Sequence, residues 1–249
     1  MTARLTMDGA IARLTLERPE ALNALNRSMA QAIESCLKQL EAAAAVTVVI
    51  VAGSGRSFCA GADISEMPTL SAAEAEAGAE RWQRIVAGFA ALPQVTIAAV
   101  HGHALGGGCM LAAAQDLRIA DTSARFGLPE VSLGFPPGWG IARLVDLLGG
   151  AHARDLILTG RTIGAEEALR LGFVMRVVPA GALDAAATEL AQQVAAHPRG
   201  GLAAAKSAIA EIRAGRPGGE TRSFAALRTD GDAQARIARF LERKRTRRP

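Results

Sequence analysis

The chain has 249 residues, half of them hydrophobic and 21% charged, enough apolar material for a sizeable core and too much for wholesale disorder. Its three cysteines, Cys36, Cys59 and Cys109, are odd in number, widely spaced and free of any CxxC, which excludes a disulfide framework or a cysteine zinc site. The net charge of +4 is concentrated in the Arg/Lys-rich end, RIARFLERKRTRRP, and leaves a mildly acidic body; that end suits a polyanionic partner or a solvated helix terminus.

In chain order, ARLTMDGAIARLTLERP alternates apolar and polar residues around Asp8-Gly9 and predicts a β-hairpin. Residues 23–45 place Leu25, Met29, Ile33, Leu37 and Leu40 at helical spacing. VTVVIV (46–51) is a β-branched run and predicts a strand buried on both faces. The loop GSGRSFCAGAD (53–63) follows, then a helix over 71–92 and a second buried strand over 95–100. HGHALGGG leads into a short helix over 109–114, and a third strand spans 117–120. Strands alternating with helices to about residue 180 predict an α/β fold with parallel strands joined by crossovers. After His197-Pro198 the pattern is helical, broken at Arg216-Pro217-Gly218-Gly219. No apolar run reaches the roughly 18 residues that cross a bilayer. The start, MTARLTMDGA, lacks the apolar core of a signal peptide, so the expected location is cytoplasmic, with no membrane partner.

Two loops, 53–63 and 102–109, each follow a buried strand and are rich in glycine, which admits positive φ and close backbone approach. Neither has the third glycine and spacing of a dinucleotide fingerprint. There is no phosphate loop and no GxSxG elbow. Two tight turns remain one reading. The other is that both loops aim backbone N–H groups at one oxygen, as an oxyanion hole does. His101-x-His103 would put two rings on one face, but no third ligand follows at a convincing spacing, and no metal is expected.

The segments ERPEALNAL (17–25), SFCAGADISEM, HGHALGGGCMLAAAQDLRIA, FGLPEVSLGFPPGWG and the C-terminal FLERKR resemble the crotonase superfamily, also called the enoyl-CoA hydratase/isomerase family, over nearly the whole chain. The resemblance implies a spiral of ββα repeats over residues 1–195 and a C-terminal helical trimerisation region over 196–249. It also implies homotrimers or dimers of trimers, and an acyl-CoA thioester as ligand. No separate cofactor is implied, coenzyme A being part of that thioester.

By the same resemblance the oxyanion hole uses the amides of Ala62 and Gly107, and Glu130 is one of the two glutamates of the family's hydratases. The other glutamate's position is Met110, which can neither hold the reacting water as a carboxylate does nor exchange a proton. One carboxylate suffices to move a proton from C2 to C4 of a 3-enoyl-CoA, so the expected reaction is double-bond isomerisation, with Glu130 raised in pKa by burial. Hydration despite Met110, and related decarboxylation or hydrolysis, stay open. So does substitution of the missing acid by Glu66, Glu74, Glu76 or Asp146. Ala60, Asp63 and Ile64 are placed near the adenine, Arg56 near the phosphates, Trp139 at the acyl pocket, and Phe240 and Arg243 near a neighbouring subunit's CoA. Outside enzymes, the alternatives are a non-catalytic acyl-CoA binder or an RNA binder using the basic tail. The 4% aromatic content and absence of tyrosine argue against nucleic acid.

Overall fold

A computed structural model describes residues 2–246. The chain divides into two compact units at Ala196/His197.

In the first unit, β1 (Ala3–Asp8) and β2 (Ile11–Leu16) form the expected hairpin, with Asp8 opposite Ile11. α1 (Arg27–Ala42) is capped by the Asn26 side chain, which accepts from the Met29 amide at 2.8 Å. It buries Met29, Ile33, Leu37 and Leu40; Leu25 is buried ahead of the helix. At its far end Gln94 Nε2 donates to the carbonyls of Leu40 and Ala43.

β3 (Val48–Gly53), β4 (Val95–Val100), β6 (Leu117–Asp121) and β9 (Arg176–Val178) extend the hairpin in the order β1-β2-β3-β4-β6-β9. All pairings after the hairpin are parallel. β3, β4 and β6 are buried on both faces. Val49, Val51, Ala98 and Val100 belong to the main core, while Val48, Ile50, Ile97 and Ile119 pack with Leu183, Ala187 and Ala191 of α6 (Leu183–Ala195). This double burial is why the strand sequences show apolar runs rather than alternation.

α2 (Ala72–Ala91) starts with a capping box between Ser71 and Glu74. A second small sheet, ordered β5-β7-β8, consists of β5 (His103–Leu105), β7 (Arg125–Gly127) and β8 (Thr162–Gly164). It was not evident in the sequence. α3 (Gly107–Ala114) begins directly after β5, two residues before the expected start. α4 (Ile141–Thr159), kinked at Gly149, and α5 (Ala165–Arg170) complete the unit.

The second unit contains α7 (Arg199–Arg213), α8 (Gly219–Arg228) and α9 (Gly231–Thr246). The stretch after Gly219 is two helices rather than one, separated at Thr229-Asp230. Arg247, Arg248 and Pro249 of the basic tail lie outside the described residues. Among the described residues no helix is long and apolar enough to cross a membrane.

Candidate active site

Backbone pairing stitches the two glycine loops together. The Phe58 and Cys59 amides donate to the carbonyls of His101 and His103, each at 2.8 Å, and the Leu105 amide returns a bond to Cys59 at 3.1 Å. On the other side, Leu25 forms a strand-like bridge with the first loop: its amide donates to Gly61 O, and Asp63 N donates to Leu25 O. Along an extended segment successive N–H groups face opposite sides. With Gly61 O and Asp63 N turned to Leu25, the intervening Ala62 amide faces away, toward the second loop. There a Cβ built on Gly107 would lie 3.8 Å from Ala62 N. Gly107 opens α3, so its N–H has no intrahelical acceptor. Neither amide has a hydrogen-bond partner among the described residues.

The small sheet brings the carboxylate. β5 pairs with β7 so that Leu105 meets Gly127, and the Gly106 amide donates to Gly127 O at 2.8 Å. Two residues on, Pro129 starts a 3₁₀ turn, Pro129–Leu133, that carries Glu130 in its first turn. Glu130 then sits against Gly106, whose Cβ, if present, would be 2.6 Å from Oε1. Gly106 also has φ +49°, a conformation that favours glycine. Glu130 Oε2 is buried with no hydrogen-bond partner. Burial pushes the Glu130 carboxyl up from its ordinary value, opposed by its own backbone amide, and no neighbouring acid contributes. The arrangement can therefore hold an oxyanion at two amides and carry one proton on a desolvated carboxyl group.

Met110 lies one turn into α3, buried, with its amide on Gly106 O. Its side chain packs under Gly140, where a Cβ would come within 2.9 Å of Sδ. Among the described residues no acid contributes to the shift of Glu130. Glu66, Glu76 and Asp146 are exposed, and Glu74 is occupied in the capping box. Trp139 reaches Gly107: its Cζ2 would be 3.2 Å from a Cβ there. At the far end of α3, Arg143 donates to Ala113 O and Gln115 O, and Arg118 Nη1 donates to Gln115 O. These cations cap the negative end of the helix whose positive end presents Gly107. Burial, then the charge of Arg143, lowers Arg118 to about 10.

The other expected residues are placed as follows. Arg56 is exposed on the first loop, and Ile64 is exposed just after it. The Ala60 and Asp63 amides are both spent, on Leu22 O and Leu25 O, so only their carbonyls could receive an adenine amino group. The Asp63 carboxylate is held below its ordinary value by the Ser65 hydroxyl and then by Arg18, 3.0 Å away. Phe240 and Arg243 lie on α9 in the second unit, Phe240 exposed. His101 and His103 are tied to separate points, Gly55 O and Ser57 Oγ, and the described residues contain no cluster that could hold a metal.

Sequence reasoning missed Asn23. It is fully buried at φ +58°, and its Nδ2 donates to Ser54 O and Ser57 O at 2.9 and 2.8 Å, bracing the first loop. The signal was a lone asparagine inside ERPEALNAL, between two apolar residues. Trp82 was also missed: its ring stacks on Trp139 with centroids 5.8 Å apart.

Residues 6–246 match the family model described as enoyl-CoA hydratase/isomerase. The chain belongs to the enoyl-CoA hydratase/isomerase family. It is 40% identical over 207 residues to a short-chain-enoyl-CoA hydratase of Clostridium acetobutylicum, covering 82% of this chain and 79% of that protein. A crotonyl-CoA hydratase of Syntrophomonas wolfei is 43% identical over 176 residues, 70% of this chain and 68% of that one. An enoyl-CoA hydratase crystal structure from Bacillus anthracis superimposes with a TM-score of 0.91 at 31% identity, covering 98% and 97% of the two chains. The protein is thus an enzyme of the hydratase/isomerase type with the crotonase fold.

Proposed function

We propose that this family member processes acyl-CoA thioesters through an enolate, and that its reaction is enoyl-CoA double-bond isomerisation with Glu130 as the single acid/base. The observation that carries the reading is one desolvated carboxylate beside two free amides, with Met110 where hydration would require a second acid. The thioester oxygen of a 3-enoyl-CoA accepts from Ala62 N–H and Gly107 N–H. Ionised Glu130 removes a proton from C2; the C–H electron pair passes into the conjugated dienolate, whose charge rests on the held oxygen. The dienolate collapses by taking the same proton from Glu130 at C4, giving the 2-enoyl thioester and restoring the carboxylate. Each amide of such a hole is worth about 10²–10³ in rate.

Hydration is the second reading, favoured by the relatives named as hydratases. It needs a water positioned between two carboxylates, and the loss of one should lower it by about 10²–10⁴-fold. Incubating 3-hexenoyl-CoA and crotonyl-CoA separately tests the choice. Isomerisation of the first and near-absence of hydration of the second are expected; prompt hydration of crotonyl-CoA overturns the isomerase reading. Met110→Glu should raise hydration while leaving the oxyanion amides in place.

A homotrimer or dimer of trimers is proposed as the assembly, supported by the exposed apolar side chains Ile209, Ile212, Phe224 and Phe240 on the second unit's helices. Sedimentation at several concentrations tests it; a monomer throughout contradicts it.

A further inference from the structure

The half-buried indoles of Trp82 and Trp139 are stacked, 15° from parallel. Trp139 lies against Gly107, the residue whose amide is placed at the oxyanion hole, on a face that only a glycine leaves open. Glu130 occupies the neighbouring face, at Gly106. The Glu130 carboxyl and the Trp139 ring thus flank consecutive glycines of the turn proposed to hold the thioester carbonyl.

The backbone that carries the ring is braced. α2 supports the segment 138–140 from one side: Gly138 approaches Ala79, with a built Cβ 3.3 Å from the Ala79 Cβ, and the Gly140 amide donates to Gln83 Oε1 at 3.4 Å. Met110 fills the space under Gly140 from the other side. Trp82, on the same α2 face as Ala79, backs the indole itself.

We propose that Trp82 is a specificity-setting positioning residue. By stacking on Trp139 it fixes an indole wall beside Gly107 that ends the acyl pocket after a few carbons, so the protein takes short-chain acyl-CoA thioesters. This rests on the acyl-CoA reading above and adds a chain-length limit to it.

The chain has only these two tryptophans and no tyrosine, so indole emission reports on this pair alone. The test titrates coenzyme A and the saturated thioesters butanoyl-, hexanoyl- and decanoyl-CoA into the full-length protein, following tryptophan emission and binding heat. Saturated chains need no chemistry, so isomerase and hydratase readings do not affect the result. In an open apolar tunnel each added methylene would tighten binding about fourfold. With the wall in place, the short thioesters change the emission, coenzyme A alone does not, and decanoyl-CoA binds no tighter than hexanoyl-CoA.

Trp82→Ala should tighten decanoyl-CoA binding at least about tenfold and leave butanoyl-CoA nearly unchanged. Trp82→Phe, which keeps a stacking ring, should retain the wild-type cut-off. Steady tightening from butanoyl to decanoyl in the wild type overturns the wall, as does emission indifferent to the acyl chain; both readouts need no variant to fold. If coenzyme A and all three thioesters fail to bind, the acyl-CoA reading itself falls. Thioesters that bind, but ever more tightly as the chain lengthens, remove only the wall.

Discussion

At the scale of single residues, the proposed chemistry rests on Glu130 and on Met110 one turn into α3. A carboxyl group raised in pKa by burial is a weaker acid when protonated and a stronger base when ionised, which suits a group that must both take and return a proton. Glu130→Gln keeps the shape and removes that capacity. Turnover should fall by about 10²–10⁴-fold with acyl-CoA affinity preserved, as measured by steady-state rates and calorimetry. Retained turnover would remove Glu130 from the mechanism.

The pH dependence has a defined sign. Abstraction requires the ionised form, so kcat rises with pH, and its acid limb lies above the ordinary glutamate value of 4.5. The raised pKa also means that the folded chain holds this proton more firmly than the unfolded chain. Its contribution to stability is present below the unfolded pKa and is lost as pH rises through the folded one. Denaturant titrations of wild type and Glu130→Gln across that window should differ in slope against pH. Glu130, Met110, Ala62 and Gly107 could be proposed from the sequence because each sits in a contiguous motif. Trp82 was not: it lies 57 positions from its partner, in a helical pattern that explains it equally well as an ordinary packing residue.

At the scale of elements, the site is a product of very short pairings. β5 and β7 have three residues each, yet their register sets Glu130 against Gly106. Three residues show no usable alternation, so these strands read as parts of loops, whereas VTVVIV announced its strand plainly. The glycines are the tolerance limit of the assembly. A Cβ on Gly108 would lie 2.1 Å from Cys59 O, backbone that cannot move without separating the two loops. Gly108→Ala should cost about 1–3 kcal/mol or more, visible as a lowered Tm, and reduce activity with it. Asn23→Ala removes two donors from loop carbonyls and leaves alanine at positive φ; about 1–3 kcal/mol should be lost, and the first loop should gain hydrogen-exchange rate. An unchanged Tm in both variants would show that the loops are held by something else.

At the scale of the whole molecule, one mainly parallel sheet covered on both faces supplies the rigidity, and the two loops after β3 and β4 carry the proposed oxyanion amides. Phe58 links the two roles: it is fully buried in the core, and its amide bonds the second loop. Phe58→Ala should destabilise by about 3–5 kcal/mol through the cavity it leaves, with activity lost in parallel as measured by thermal melts and turnover. The α/β class and the helical C-terminal part were readable from apolar runs and periodicity. The small sheet was not; the break between α8 and α9 was overlooked although Asp230-Gly231 is a turn pair of the same kind as Asp8-Gly9, because helical periodicity continues on both sides of it.

The central claim, two amides and one carboxyl group acting on a single thioester, is tested most directly by a crystal structure of the protein with bound hexanoyl-CoA. The thioester oxygen should lie within hydrogen-bond distance of both Ala62 N and Gly107 N, with the Glu130 carboxyl group facing C2 and no other acid beside the chain. A thioester bound away from those amides, or a second carboxylate reaching the C2–C3 bond, would contradict it.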